Sequence, residues 1–530
     1  MIYAAALPIG FTNGKENLSR RQRRIARAFL QRTERVGLLC KMKEPNRAID
    51  LSAVAHRAMT EAGFAAAFSS AAIAETAALT GNLSALRLPQ TEDLRHLLWS
   101  SIDNSESLDL DQIEVAERLA DGAIRLLIGI ADVDAMATKD SAIDRHAAQN
   151  TTTVYTGIEN FSMLPERLST DLTSLLGGAD RLAMVVALRV DRDGGVQTEG
   201  VSHALVRNQA RLDYESIGRW LEGKSPLPDE VAAISGLEKQ LRLQDEAAER
   251  LGAMRERSGA LDLETIEANP VKVNGKVVDL EVEEKTRARY LIENFMVAAN
   301  TAIAAYLNAN GLPSIQRVVR TPKRWGKIVD IARSLDDALP DEPDTLALSG
   351  FMERQKAAAP EQYAELSLAV VKLLGASEYT LIPANAAPQG HFGLAVREYT
   401  HSTAPNRRFA DLVTQRQLKA MLTGAPAPYS EDDLAAIARY CTERASAARK
   451  VERTMRKVIA ATLLQERLGD TFAAIVTGVT AKGTFARLLD PPAEGRIVRG
   501  ETGLDVGDKI AVRLLATEPE HGFIDFAALR

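Results

Sequence analysis

A chain of 530 residues with 46% hydrophobic and 26% charged side chains is too long for one compact core, and its balanced composition excludes a fibrous or largely disordered polymer. Its 65 Lys and Arg against 71 Asp and Glu give a net charge of −6, which excludes a wholesale polyanion binder. A locally basic channel remains open, because a phosphate backbone needs only a handful of Arg and Lys. The two cysteines, Cys40 and Cys441, exclude a disulfide framework and lack metal-ligand spacing, so a reducing cytoplasm is the simplest compartment. The apolar run in MIYAAALPIGF precedes its basic residues, the wrong order for a secretory signal, and no stretch approaches the roughly 18 apolar residues of a membrane span.

In chain order, residues 1–45 form a basic arm in which LSRRQRRIARAFLQR (18–32) has the pattern of an amphipathic helix. A solvated tail, an RNA-contacting arm and a natural start at Met42 are the three readings of it. Residues 46–90 are Ala-rich and helical, with Asp50 and Ser52 as candidate caps and Gly63 as a break. From about 91 the period changes. GAIRLLIGIADVD (122–134) reads as a buried strand, and RLAMVVALRVDRDGGV (181–196) as a strand entering a turn at Gly194 and Gly195. Helical patterns follow at 228–258, 284–309, 322–337, 360–375 and 406–422, so 91–425 is a large mixed α/β domain. A charged helical connector spans 426–468. Five short candidate strands, near 472–479, 484–489, 494–498, 508–516 and 522–526, then have the number and size of an OB-type barrel over 469–530.

The most informative stretch is SSIDNSESLDLDQIEVAE (100–117), where Asp103, Asp109 and Asp111 lie close together immediately before a strand. Alternate positions such as 109 and 111 point to one side of an extended segment, so their carboxylates can converge. Crowded carboxylates repel, and a hard divalent cation such as Mg²⁺ relieves the repulsion. By spacing alone, a solvated acidic loop is an equal alternative.

With four further blocks, this segment resembles the RNase II and RNase R family, which is built on the RNB domain. The blocks are HAAQNTTTVYTG with SMLPERLSTDLTSL (within 146–176), VRNQARLDYESI (206–217), YLIENFMVAANTAIA (290–304) and HFGLAVREYTHSTAPNRRFADLVTQRQL (391–418). They occur in the family's order across roughly 95–420. The fold that the resemblance implies is a large RNB-type α/β domain, preceded by a small helical region and followed by a shortened OB-type barrel. Residues 1–90 lack the strand pattern of the paired cold-shock barrels that the family carries ahead of this domain.

The resemblance implies roles residue by residue. Asp103, Asp109 and Asp111 match the aspartates that hold catalytic magnesium, with Mn²⁺ as a substitute, and Asp111 is the one on which chemistry depends. The family places a fourth Asp where this chain has Gln112, an amide without charge. Arg407 matches the arginine at the scissile phosphate, where a guanidinium offsets developing negative charge. Arg408 either binds phosphate or pairs with Asp411. Tyr155 matches the aromatic that stacks on the terminal base. Tyr214 and Glu293 match positions that hold the terminal nucleotide and prefer ribose, with an ordinary core aromatic as the other reading of Tyr214. In the barrel, Phe485 in AKGTFARLL matches an RNA-contacting position. The stripe Arg444, Arg449, Lys450, Arg453, Arg456 and Lys457 lines an RNA path or forms a solvated face.

The function implied is a hydrolytic 3′→5′ exoribonuclease of the two-metal type. It acts on single-stranded RNA, releases nucleoside 5′-monophosphates, and is expected to work as a cytoplasmic monomer without a membrane or an organic cofactor. The competing reading, motivated by Gln112 and the short barrel, is an RNA-binding protein on the same scaffold with weakened catalysis.

Overall fold

The computed structural model describes residues 49–264, 268–273, 276–282 and 285–529; the basic arm expected over 1–45, its helix and Cys40 lie outside the described residues. Helix α1 (Leu51–Glu61) starts where the Asp50 carboxylate accepts from the Ala53 N–H. Asp50 is therefore the cap, whereas Ser52 sits inside the first turn and donates to Glu159. The chain leaves α1 through Gly63, whose φ of 77° is the left-handed conformation that a residue without Cβ adopts freely. Helix α2 (Ser70–Ala78) follows.

Six strands make the central sheet: β1 (Glu92–Asp93), β2 (Trp99–Asp103), β3 (Gln112–Arg118), β4 (Ile124–Ala131), β5 (Asp180–Val190) and β6 (Val196–Asp213). Their order is β1-β6-β2-β3-β4-β5, with a further pairing of β6 to β5. The first part of β6 runs antiparallel to β5 as far as Arg207, and from Asn208 onward the strand runs parallel to β2. One long strand thereby curls the sheet back on itself. Asn208 marks the handover, its buried amide donating to Ser101 Oγ and to the Leu175 carbonyl.

The sheet is covered on both faces. Ile124, Leu126, Ile128 and Ile130 of β4 enter a core with α4 (Tyr214–Leu221), α5 (Leu237–Arg257) and α6 (Arg287–Ala309). Trp99, Ile113, Val115 and Ala131 enter a second core with α3 (Ala142–Asn150) and two later helices. Two-sided burial explains why the sequence of β4 is nearly continuous in apolar residues, each worth about 1.5–3 kcal/mol when fully buried. The helix expected over 228–258 is shorter, because Gly236 at φ 86° separates a single turn (Asp229–Ala232) from α5. Beyond α6, the strands β7 (Ser314–Val318) and β8 (Glu378–Ile382) pair antiparallel. Between them α7 (Trp325–Ser334), α8 (Thr345–Ala358) and α9 (Tyr363–Leu374) share a small core of their own.

Helix α10 (Phe409–Thr423) packs into the second core, and α11 (Glu431–Leu464) runs from that core to the C-terminal barrel. A capping box of Ser430 and Asp433 opens α11. The barrel strands are β9 (Thr471–Thr480), β10 (Gly483–Leu488), β11 (Glu494–Arg499), β12 (Lys509–Glu518) and β13 (Phe523–Leu529). They close in the order β9-β10-β11-β13-β12, with β11 and β13 parallel. This is the five-stranded OB-type barrel expected from the sequence. Among the described residues no helix is long and apolar enough to cross a membrane.

Buried charge fastens α10 to the sheet. Arg416 donates to Asp134, to the Ala137 carbonyl and to the Tyr429 hydroxyl, while Lys419 bonds to Asp132 and Asp134. Asp132 is fully buried and also lies 2.8 Å from His203 Nε2 on β6. Burial pushes the Asp132 carboxyl up, but Lys419 and His203 outweigh it and hold the group at about 2. A pKa below the usual carboxylate value of about 3.9 stabilises the fold above about pH 4, and that contribution is lost as pH falls towards 2. We expect Asp132→Asn to lower stability to urea by about 2 kcal/mol at pH 7, with the gap to wild type narrowing below pH 4. A gap that does not change with pH would show that the network contributes nothing through this charge.

Candidate active site

The acidic residues meet where two strands end. Ser100 pairs with Glu114, which brings the end of β2 alongside the residues that lead into β3. Asp103 closes β2, and its Oδ1 accepts from the Asn104 N–H at 2.7 Å and from Ser107 Oγ at 2.9 Å, which folds the following loop back on itself. Asp109 is half-buried, and burial raises its pKa, with Asp103 adding to the rise and Arg407 opposing it. Asp111 is 3% exposed. Burial pushes its carboxyl up to about 7 against the pull of Arg407 and of the Asn406 N–H, while Asp109 and Asp411 push the same way as burial.

The opposite wall is the loop that precedes α10. The Asn406 N–H donates to Asp111 Oδ1 at 3.0 Å, and Arg407 Nε lies 3.4 Å from Oδ2. Side chains that the sequence reading did not single out hold this loop in place. Asn300, on α6, accepts at Oδ1 from both the backbone N–H and the hydroxyl of Ser402, each at 2.8 Å. Asn406 Oδ1 accepts from Thr173 at 2.7 Å, and the Arg407 carbonyl accepts from the Thr153 N–H. Both asparagines lie inside the blocks that carry the resemblance, so their position was visible although their task was not. Arg408 takes the pairing alternative: its Nη2 donates to the fully buried Asp411 at 2.7 Å. Asp411 in turn accepts from the Ala404 N–H, closing the loop from behind.

Tyr155 is 40% exposed, and its hydroxyl lies in the field of Arg407 and of all three aspartates. Its backbone N–H donates to Glu452 of α11. Tyr214 opens α4, half-buried against the first core, with the Arg289 guanidinium 4.3 Å over its ring and Asp103 within its field. Glu293 is on the solvent side of α6, where Arg255 Nη2 meets it at 3.2 Å. Phe485 is in the barrel, on β10, opposite Gly478 and Arg496. The structure therefore gathers Asp103, Asp109, Asp111, Arg407, Tyr155 and Tyr214 around one cleft, turns Arg408 inward, leaves Glu293 on the exposed face of α6 one turn beyond Arg289, and sets Phe485 on the barrel. Of the basic stripe on α11, Arg444 stacks 3.7 Å over Phe64 and donates to the Ala62 carbonyl, a packing role, whereas Arg449 lines a cavity beside the cleft.

One acidic residue was passed over entirely. Glu114, on β3, is fully buried with neither carboxylate oxygen hydrogen-bonded, and burial, with Asp103 adding to it, raises its pKa well above the usual range. Gln112, two residues earlier, is buried beside the same strand end.

Whether these residues fit a metal ion is decided by their chemistry and their burial. Asp103, Asp109 and Asp111 are hard oxygen donors, and burial, with a smaller push from neighbouring carboxylates, disfavours the charged forms of the last two, a cost that a divalent cation offsets. Among the described residues, however, no three acidic, His or Cys side chains converge as a cage. Mg²⁺ does not require one, since it is usually held by one or two carboxylates and completes its shell with water and substrate phosphate. The donor set therefore fits an ion shared with a phosphate.

Comparison with known proteins places this geometry. The RNB domain model matches residues 91–424, more than half of the chain, and the RNase II-type exonuclease C-terminal S1 domain model matches 470–529. Ribonuclease R 1 of Lactococcus lactis is 31% identical over 407 residues, which cover 75% of this chain and 48% of that protein. The chain thus spans about half the length of that curated relative. Among solved structures, RNase R of Mycoplasma genitalium superposes with a TM-score of 0.81 at 22% identity, covering 91% of this chain and 78% of that one. Yeast Ssd1, described as a pseudonuclease, superposes with a TM-score of 0.60 at 18% identity, covering 79% of this chain and 51% of that one. The two likenesses establish a common fold, and a fold shared by a nuclease and a pseudonuclease leaves activity to be argued from the site. By its matched domains, their order and the residues they contain, the chain belongs to the RNB-domain family of the RNase II and RNase R type.

Proposed function

We propose that the protein is a hydrolytic 3′→5′ exoribonuclease that removes nucleoside 5′-monophosphates from single-stranded RNA. The observation that carries this reading is the pairing of Asp111 and Arg407 across the cleft, with Asp103 and Asp109 beside them. Phosphodiester hydrolysis by metal-assisted attack needs a cation-holding side and a guanidinium side around one phosphorus, and this cleft has both. Asp103, Asp109 and Asp111 would hold Mg²⁺, one ion or two, with Mn²⁺ as a substitute. Bound Mg²⁺ supplies Lewis-acid polarisation of the phosphoryl group.

The chain's own residues do the remaining work. Arg407 is 44% exposed despite its contact with Asp111, so its guanidinium can turn to a phosphoryl oxygen as charge develops there. Tyr155 offers an exposed face on which a terminal base of any identity stacks, worth about 1–3 kcal/mol. Tyr214 closes the Asp103 side of the cleft, and Glu293 accepts from a ribose 2′-hydroxyl once RNA displaces Arg255. Phe485 contacts RNA on the barrel. The weakened-catalysis reading draws on Gln112 and on the pseudonuclease neighbour; three aspartates and Arg407 in one cleft favour the enzyme. Cytoplasmic action as a monomer completes the proposal.

Incubation with a 5′-labelled oligoribonucleotide and Mg²⁺ is expected to give mononucleotides and a ladder that shortens from the 3′ end, and EDTA is expected to stop it. A gel shift without products would favour the RNA binder. Asp111→Asn is expected to eliminate nucleotide release while leaving RNA binding largely intact; normal rates in this variant would refute the assignment of the site. A deoxyribose oligomer is expected to be degraded far more slowly than its ribose counterpart, and Glu293→Gln to narrow that difference. Equal degradation of both polymers by the wild type would remove the ribose-selecting role given to Glu293 and Tyr214.

A further inference from the structure

A cavity of about 240 Å³ shares Tyr155 and Arg407 with the cleft and adds the inward-turned Arg408, but none of the three aspartates lines it. Its far wall is built by Arg317 of β7, Tyr379 of β8, His401, and Arg449 of α11. Four arginines and one glutamate among the lining residues make it strongly cationic.

Arg317 is the unusual member. It is 7% exposed; its Nη2 donates to Ser377 Oγ at 2.6 Å, and its guanidinium lies 4.4 Å over the Tyr379 ring. Its Nη1 is buried with no hydrogen-bond partner. Burial acts against its charge, Tyr379 in favour and Arg449 and Arg408 against, and no carboxylate is among the groups that act on it most strongly. Arg408 adds a second buried donor without a partner, its Nε. The one histidine of the wall does not compensate: burial, with Arg408 and Arg317 next, drives the pKa of His401 well below its usual value, and its Nδ1 is engaged 2.7 Å from the Tyr379 hydroxyl. A buried guanidinium whose donors are left open is costly, and an anion that enters the cavity removes that cost.

We infer that the Arg317 cavity is a second phosphate-binding site beside the reaction cleft, occupied either by a backbone phosphate of the bound RNA or by the 5′-phosphate of a released mononucleotide. Two buried guanidinium groups with open N–H donors, flanked by Arg407 and Arg449, are the recognition chemistry of phosphate. The volume, below the roughly 300–1,000 Å³ of drug-sized ligand sites, suits a phosphate with its attached sugar atoms better than a folded organic cofactor. That the phosphate belongs to RNA or its product rests on the exoribonuclease reading; that the cavity takes phosphate does not.

The full-length protein and its Arg317→Gln and Arg449→Ala variants test the inference, with circular dichroism to verify folding. Arg449 is exposed, so its variant decides the matter should Arg317→Gln fail to fold. In EDTA, calorimetric titration with adenosine 5′-monophosphate, inorganic phosphate and adenosine is expected to give binding of the two phosphate-bearing probes to wild type, weakened about tenfold in each variant, and no binding of adenosine. Anisotropy of a fluorescent oligoribonucleotide across a salt series distinguishes the two occupants. A backbone phosphate in the cavity lowers RNA affinity about tenfold in the variants and reduces the salt slope by about 0.7 for each charge removed. A mononucleotide phosphate leaves RNA binding unchanged and relieves inhibition of degradation by added adenosine 5′-monophosphate. Phosphate binding without any RNA binding by wild type would keep the cavity and defeat the exoribonuclease reading. Unchanged affinity of both variants for phosphate, mononucleotide and RNA, or a wild type that binds none of the phosphate probes, overturns the inference whatever the rate of hydrolysis.

Discussion

The carboxylate of Asp111 ties together two parts of the chain that are 295 residues apart, through its bond to the Asn406 N–H. That tie joins the two walls of the cleft. From the sheet side, Asp111 is fixed because its own carbonyl accepts from the Ala131 N–H, continuing the pairing of β3 with β4. From the loop side, Asn406 is fixed by Thr173, and the loop behind it by Asn300 and Asp411. A charged group this deeply buried is tolerated because the fold delivers a backbone donor and a guanidinium to it, and the same burial leaves it only weakly acidic. Stability and reactivity at this point are thus set by one local balance between desolvation and hydrogen bonding.

Charge is segregated around the cleft. The aspartates sit at the strand ends, and the arginines sit on the loop before α10, on β7 and on α11, so a net charge of −6 coexists with a wall that is almost entirely cationic. The total had hidden this, because a sum over the chain does not record where charges sit, and many carboxylates lie in surface ion pairs such as Arg118 with Glu246 and Arg125 with Glu199. Surface pairs of this kind contribute little to stability but leave the interior cations conspicuous.

Much of this was legible in the residues, and the parts that were not have physical reasons. β4 and β5 were readable because two-sided burial makes their sequences predominantly apolar, broken only by Arg125 in β4 and by Asp180, Arg181 and Arg189 in β5. The 18-residue β6 was not, since VQTEGVSHALVRNQARLD changes pairing partner midway and mixes polar residues into both faces. The helix α8 was missed because TLALSGFMERQKAA has only a weak apolar stripe and faces a small satellite core. At the site, the aspartates and Arg407 could be read from local spacing and from the resemblance. The contributions of Asn300, Glu114 and Arg317 could not, because each depends on what lies opposite across the fold, and nothing in the neighbouring sequence records a missing or distant partner.

Helix α11 has 34 residues, which at 1.5 Å per residue gives a rod of about 50 Å. Its first half contributes Leu434, Ala438 and Cys441 to the core behind the cleft, and its last turns contribute Ile459, Ala460, Ala461 and Leu464 to the core of the barrel. The rod is therefore a shared structural beam and not a linker. A barrel cut free at its first strand would lose a wall of its own interior, and the cleft, deprived of the same helix, would lose Arg449 and Glu452 from its rim. Evolutionary exchange of the barrel for another RNA-binding module must accordingly carry the helix with it, or rebuild both of the surfaces that it joins.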